Sequence, residues 1–116
     1  MNYSKAGKKK FIQKRAYERI PASLVVKYLH LGSICYGLVT DISGGGMCIN
    51  TSICFSSNSS VKLMIPLKNE VLELPVKVRR VVKTEKFYER MGVEVLSPPD
   101  KYLQIVEHFR TASAVS

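Results

Sequence analysis

The sequence predicts a mainly β fold: six antiparallel strands closing into a barrel, followed by one C-terminal amphipathic helix. Three observations carry that prediction. Apolar and β-branched stretches recur from Leu24 to Leu96, short glycine-rich or polar turn signals separate them, and the apolar period changes to three and four after Pro99. A chain of 116 residues makes one small domain, which buries roughly two thirds of its unfolded surface.

Leu24 to Leu31 reads as the first strand, and Gly32-Ser33 turns the chain into a second from Ile34 to Ile42. Met47 to Asn50 is a short third strand after three glycines, and Ser56 to Ser60 is a polar loop. Val61 to Leu67 makes the fourth strand, closed by Lys68-Asn69-Glu70. Val71 to Val82 alternates apolar and basic residues as the fifth, with Pro75 inside it predicting a bulge or a sheet edge. Phe87 to Leu96 completes the meander across Thr84-Glu85-Lys86. Ser97-Pro98-Pro99-Asp100 then opens a helix over 98–110, because proline costs little at a helix start and Tyr102, Leu103, Ile105, Val106 and Phe109 supply an apolar stripe. Closing the sheet removes exposed edges. No internal repeat is visible.

Two short patterns carry the functional information: Arg15-Ala16-Tyr17-Glu18-Arg19 ahead of the first strand, and Asp41-Ile42-Ser43-Gly44-Gly45-Gly46 at the end of the second. At average residue usage RxxxR arises by chance in about three chains in ten of this length and DxSxxG in about one in thirty, so only the ordered pair has weight. The plain reading of RxxxR is a solvated basic segment. In a helix, however, Arg15 and Arg19 would share a face and repel unless an anion sits between them, and Pro21 pushes the residue before it out of helical geometry. The segment is better read as an extended arm or turn. Guanidinium forks grip phosphate bidentately and also suit the O6 and N7 edge of guanine.

The plain reading of DxSxxG is a strand end whose Asp41 and Ser43 bond their own backbone before a glycine turn. Strand alternation offers more: the two residues point to one face about 6.5 Å apart. A carboxylate there accepts from guanine N1 and N2, while a hydroxyl donates or accepts nearby. The glycines clear space for a flat ligand or a second backbone. Together the two patterns describe a site for an anionic guanine ligand.

These residues resemble the PilZ domain, a receptor module for the bacterial second messenger cyclic di-GMP. Arg15 and Arg19 match its RxxxR motif, Asp41, Ser43 and Gly46 its [D/N]xSxxG motif, and Gly92-Val93-Glu94-Val95 its closing strand. The likeness runs from about Lys14 to Leu96 and implies a PilZ-like barrel over 14–112, with 14–21 as an arm that is mobile when empty and closes over the ligand. Residues 1–13 are expected as a flexible basic tail and 113–116 as a disordered one. The resemblance further implies that Arg15 and Arg19 clamp cyclic di-GMP, that Asp41 and Ser43 read a base and that Gly46 shapes the turn. Lys14, just before the first arginine, leans toward binding of a stacked ligand pair, since a further cation attracts the doubled phosphate charge. For a single-domain member the resemblance implies action through a changed surface presented to a downstream protein.

Composition bounds the alternatives. A formal net charge of +9 and a pI near 9.6 favour anionic partners, whether nucleotide, nucleic acid, acidic protein or anionic membrane. A small basic barrel that binds single-stranded nucleic acid is one rival, but its stacking platforms need aromatics gathered on one strand face. Here Tyr28, Tyr36, Phe55, Phe87 and Tyr88 are scattered over separate segments. A degenerate scaffold that binds only protein is the other, and both motifs standing in register count against it. Catalysis is not expected: His30 and His108 are the only histidines, and Gly44-Gly45-Gly46 lacks the continuation of a phosphate loop or dinucleotide fingerprint. Cys35, Cys48 and Cys54 have no close CxxC spacing and read as reduced strand residues, not as a disulfide framework or zinc site. No cofactor or metal is expected beyond the nucleotide ligand. The basic start runs into Phe11-Ile12 and more charge without a secretory apolar core, and no run is long enough to span a bilayer. The expected location is the cytoplasm.

Overall fold

The computed structural model describes residues 18–52, 55–84 and 88–115. The expected 1–13 tail, Lys14, Arg15, Cys54 and Phe87 lie outside them. Six strands form in order: β1 (Ile20–His30), β2 (Ser33–Ser43), β3 (Gly46–Thr51), β4 (Ser60–Pro66), β5 (Val71–Lys83) and β6 (Glu89–Val95), followed by helix α1 (Asp100–Val115). They close as an antiparallel barrel in the order β1-β2-β3-β6-β5-β4, and the Lys27↔Met64 pairing joins β4 to β1. Alternation fills the interior. Val26, Tyr28, Val39, Ile42, Met47, Ile49, Leu63, Leu74, Val76 and Met91 are all buried, each separated along its strand from outward neighbours.

Four details differ from the sequence reading, and two of them, the start of β1 and the bulge in β5, bear on the site. Strand β1 begins at Ile20, four residues before Leu24, because Ile20 pairs with Ile42 and is buried, while Pro21 occupies the strand start where its missing donor is tolerated. A register shift between Pro21 and Leu24 absorbs the irregularity. Pro75 produces no bulge: it pairs with Lys62 on one side and its carbonyl accepts from Leu96 N at 3.1 Å on the other, where the β5–β6 ladder ends. Its absent N–H points to that same ladder end, since a strand residue's N–H and C=O share a side.

The β5 bulge lies instead between Val78 and Arg80, where Val78 pairs with Val93 and Arg80 with Gly92. The extra residue is Arg79, and both arginines are therefore exposed on the outer face. Strict alternation would have sent one of them into the core. The fourth difference is the helix end. Thr111-Ala112-Ser113-Ala114 contains no glycine or proline stop, and alanine is the best helix former, so α1 continues to Val115 where residues 113–116 were expected to be disordered.

Tyr102 and Val106, one turn apart, are buried, and Ile105 and Phe109 pack partly against the core. Leu103 sits off that stripe and is exposed. The helix thus attaches to the barrel through a narrow apolar seam beginning at Tyr102.

Candidate functional site

The early start of β1 sets the site. Pairing of Pro21 with Asp41 carries the preceding Arg19 alongside β2, and its Nη1 donates to Asp41 Oδ1 at 2.7 Å. The two motifs, 22 residues apart in the chain, therefore meet directly. Both side chains remain open to solvent, Arg19 at 56% and Asp41 at 35% exposure, so a ligand can reach either.

Behind this pair, outward-facing residues align in rows across the sheet. Asp41 pairs with Cys48, Cys48 with Gly92, and Gly92 with Arg80, which runs one row over β2, β3, β6 and β5. The next row carries Leu38, Asn50, Arg90 and Val82. Small residues at Cys48 and Gly92 leave the middle of the first row low, while Asp41 and Arg80 stand at its ends about 14 Å apart by strand spacing. The result is a cavity of about 570 Å³ on the outer barrel surface, lined by Arg19, Asp41, Arg79, Arg80, Arg90 and Glu94 together with the β2–β3 turn. Four guanidinium groups face two carboxylates, so the cavity is net cationic. Two guanidiniums are already paired: Arg19 with Asp41, and Arg79, whose Nε donates to Glu94 Oε1 at 2.7 Å. Arg80 and Arg90 make no ion pair among the described residues and can take an anion.

The DxSxxG turn is held from several directions. Ser43 Oγ accepts from Gly45 N and Gly46 N, each at 3.2 Å, and Gly45 O accepts from Val95 N at 2.9 Å. The Tyr102 hydroxyl donates to Ser43 O at 2.6 Å and also lies 3.1 Å from Gly46 O. Burial pushes the Tyr102 phenol well above its ordinary range, against a smaller opposing effect of the Arg19 charge, so this donor keeps its proton. Gly46 has no room for a side chain: a Cβ would lie 2.2 Å from the Val93 carbonyl oxygen. The close approach that this glycine permits is to a second backbone.

Of the six residues singled out from sequence, Arg19, Asp41, Ser43 and Gly46 line this cavity, and Lys14 and Arg15 are not among the described residues. Asp41 and Ser43 do not form the expected exposed polar pair. Ser43 is only 3% exposed and its hydroxyl is engaged by the turn, whereas Asp41 faces out. Arg79, Arg80, Arg90 and Glu94 escaped the sequence reading. The one available signal was the adjacent pair Arg79-Arg80, which no alternating strand accommodates without a bulge.

A family model for the PilZ domain matches residues 13–111. The chain belongs to the PilZ domain family. Among solved structures it is similar to the Bacillus subtilis inhibitor of motility MotI/DgrA, with a TM-score of 0.72 and 22% identity over 88% of this chain and 52% of that one. It is also similar to the PilZ domain of Escherichia coli YcgR solved with c-di-GMP, at a TM-score of 0.65 and 16% identity, covering 87% of this chain and 95% of that one. The PilZ domain of CeSA from a cellulose-synthesizing bacterium gives a TM-score of 0.57 and 22% identity, with 83% and 98% covered. At these identities the likeness is one of fold. The PilZ chain described here spans about half the length of MotI/DgrA. No curated protein matches it. Among the described residues no helix is long and apolar enough to cross a membrane.

Proposed function

We propose that this PilZ domain is a non-enzymatic receptor for cyclic di-GMP in the cytoplasm. The observation that carries the reading is the Arg19–Asp41 contact at 2.7 Å, which joins the two motifs at the rim of a cationic cavity. Arg19, with Arg15 on the preceding segment, grips the ligand phosphates and guanine edges; Asp41 accepts from guanine N1 and N2. Ser43 and Gly46 contribute by fixing the turn that aims Asp41. Arg80 and Arg90 extend the cationic surface beyond the reach of the motif residues. Lys14 adds the charge that favours a stacked pair of ligands over one.

Binding changes the surface around the 14–21 arm, and a downstream protein reads that change. Micromolar affinity requires about −8 kcal/mol, and removing one partner of a desolvated charge contact costs about 2 to 5 kcal/mol. Arg15→Ala and Arg19→Ala should each weaken binding at least tens-fold.

Calorimetric titration with cyclic di-GMP, with cyclic di-AMP and GTP as controls at two salt concentrations, tests the reading. Saturable heat specific to cyclic di-GMP is expected, and its stoichiometry of one or two reports on Lys14. No heat, with no thermal stabilisation at a hundredfold excess over a micromolar Kd where about 2.7 kcal/mol is due, would leave a protein-binding scaffold. Salt-steep binding of single-stranded nucleic acid would instead support the other rival.

A further inference from the structure

At the opposite end of β2 from Asp41, the β1–β2 hairpin carries apolar side chains on its outer face. The cross-strand pairs there are Val25↔Leu38, Lys27↔Tyr36 and Leu29↔Ile34. Val25 is 52% exposed, Leu29 56%, Ile34 58% and Tyr36 58%, while the intervening Val26 and Tyr28 point inward and are buried. The tip is Leu31-Gly32, with Leu31 92% exposed.

Leu31 is misplaced by every local rule. It has φ 51° and Gly32 φ 82°, the geometry of a two-residue type I′ turn, which favours Asn-Gly or Asp-Gly. A bulky residue in the left-handed region is strained, and a leucine in water gains nothing from its apolar surface. A position that violates both turn chemistry and burial without local compensation is where function is expected.

We infer that this hairpin tip inserts into the surface of an anionic lipid bilayer. The apolar group is convex and terminal, a shape that enters a soft interface and offers no cleft for a partner's side chain. From residue 22 to residue 40 the hairpin contains no Asp or Glu, and the chain as a whole is +9, so approach to an anionic surface meets no carboxylate at the leading edge. Leu31 and the Leu29–Ile34 rung behind it span about 7 Å along the strands, which matches the ~5–10 Å that interfacial segments bury. One rung further back, Lys27 Nζ lies 5.7 Å from the centroid of the Tyr36 ring. Tyrosine and lysine are the side chains that settle at headgroup level.

The test is co-sedimentation of the full chain with phosphatidylcholine vesicles, with and without phosphatidylglycerol, for the parent, Leu31→Asn and Ile34→Thr. Leu31→Asn supplies the turn residue that a type I′ hairpin favours and should melt at or above the parent temperature. It leaves every charge in place, so binding through the basic N-terminal lysines alone would survive it. The expected result is partitioning that requires phosphatidylglycerol and falls at least roughly tenfold in Leu31→Asn, with a smaller fall in Ile34→Thr. Absence of vesicle binding by the parent, or equal binding by all three proteins, overturns the inference. Self-association in light scattering that Leu31→Asn abolishes, without vesicle binding, would overturn it in favour of a second copy on the same face. Heat of cyclic di-GMP binding should be the same in all three, because the tip is remote from Asp41.

Discussion

Around the Ser43–Gly46 turn, β6, the Tyr102 hydroxyl and the Ser43 side chain all contribute hydrogen bonds within a buried setting. Beside it, Glu18 and Arg19 reach the rest of the molecule through ion pairs: Arg19 with Asp41, and Glu18 with Arg110 at 3.7 Å. Glu18 is 62% exposed in its side chain. Leaving a buried donor or acceptor unsatisfied costs about 1 to 3 kcal/mol, whereas solvated ion pairs contribute about 0 to 1 kcal/mol. One half of the site is therefore fixed by folding and the other is held loosely enough to be re-aimed. In the proposed receptor this division lets a ligand use a preformed Asp41 edge while recruiting arginines at little energetic cost.

The sharpest way to break the fixed half is Gly46→Val. The first added carbon already falls 2.2 Å from the Val93 carbonyl oxygen, and that oxygen belongs to the backbone of a paired central strand, which has no rotamer to yield. Overpacking of this kind costs about 1 to 3 kcal/mol or more. Urea denaturation should show a strongly lowered midpoint; an unchanged midpoint would mean that β3 and β6 separate here without cost.

A smaller loss is expected from Tyr102→Phe, which keeps the buried ring but removes the hydroxyl that donates to Ser43 O. About 1 to 3 kcal/mol should be lost, read as a lower urea midpoint with unchanged slope. The same hydroxyl sets a pH dependence. Burial raises the folded-state pKa of Tyr102 above its unfolded value, so the unfolded chain releases this proton first as pH rises. The stabilisation is complete below the ordinary tyrosine value of about 10 and declines above it. The alkaline loss of stability should be shallower in Tyr102→Phe, and parallel curves for the two proteins would remove Tyr102 as its source.

The contrast between the two halves also marks what could be read from sequence. Strands, hairpins and the helix seam were legible because period-two and period-three-to-four patterns are local, and Gly46 was legible as a point of close approach. Ser43 closes β2 in either reading; its hydroxyl could have faced a ligand beside Asp41 or bonded its own backbone, and the backbone won because Gly45 N and Gly46 N need an acceptor. Arg79, Arg80, Arg90 and Glu94 reach the site through register between β5 and β6, and a one-residue bulge decides which of them face out. No single-strand pattern contains that register. Arg19 was identified from its motif, but its contact with Asp41 depends on β1 continuing through Pro21, where the sequence argued for a later start.

Arg19→Ala is the prediction that separates the two halves most cleanly, although its effect on folding is the smallest. The guanidinium is 56% exposed and its partner 35%, so solvent screens the pair and its removal should change unfolding free energy by less than about 1 kcal/mol. Asp41→Ala should behave alike, and the double variant should show little coupling energy. If the arm is instead a structural strap, Arg19→Ala will cost as much as Tyr102→Phe in the same urea series. If it is held as loosely as its exposure indicates, stability stays near that of the parent while the proposed nucleotide affinity falls tens-fold, and that pairing of a small folding effect with a large binding effect is the signature of a residue kept for a ligand.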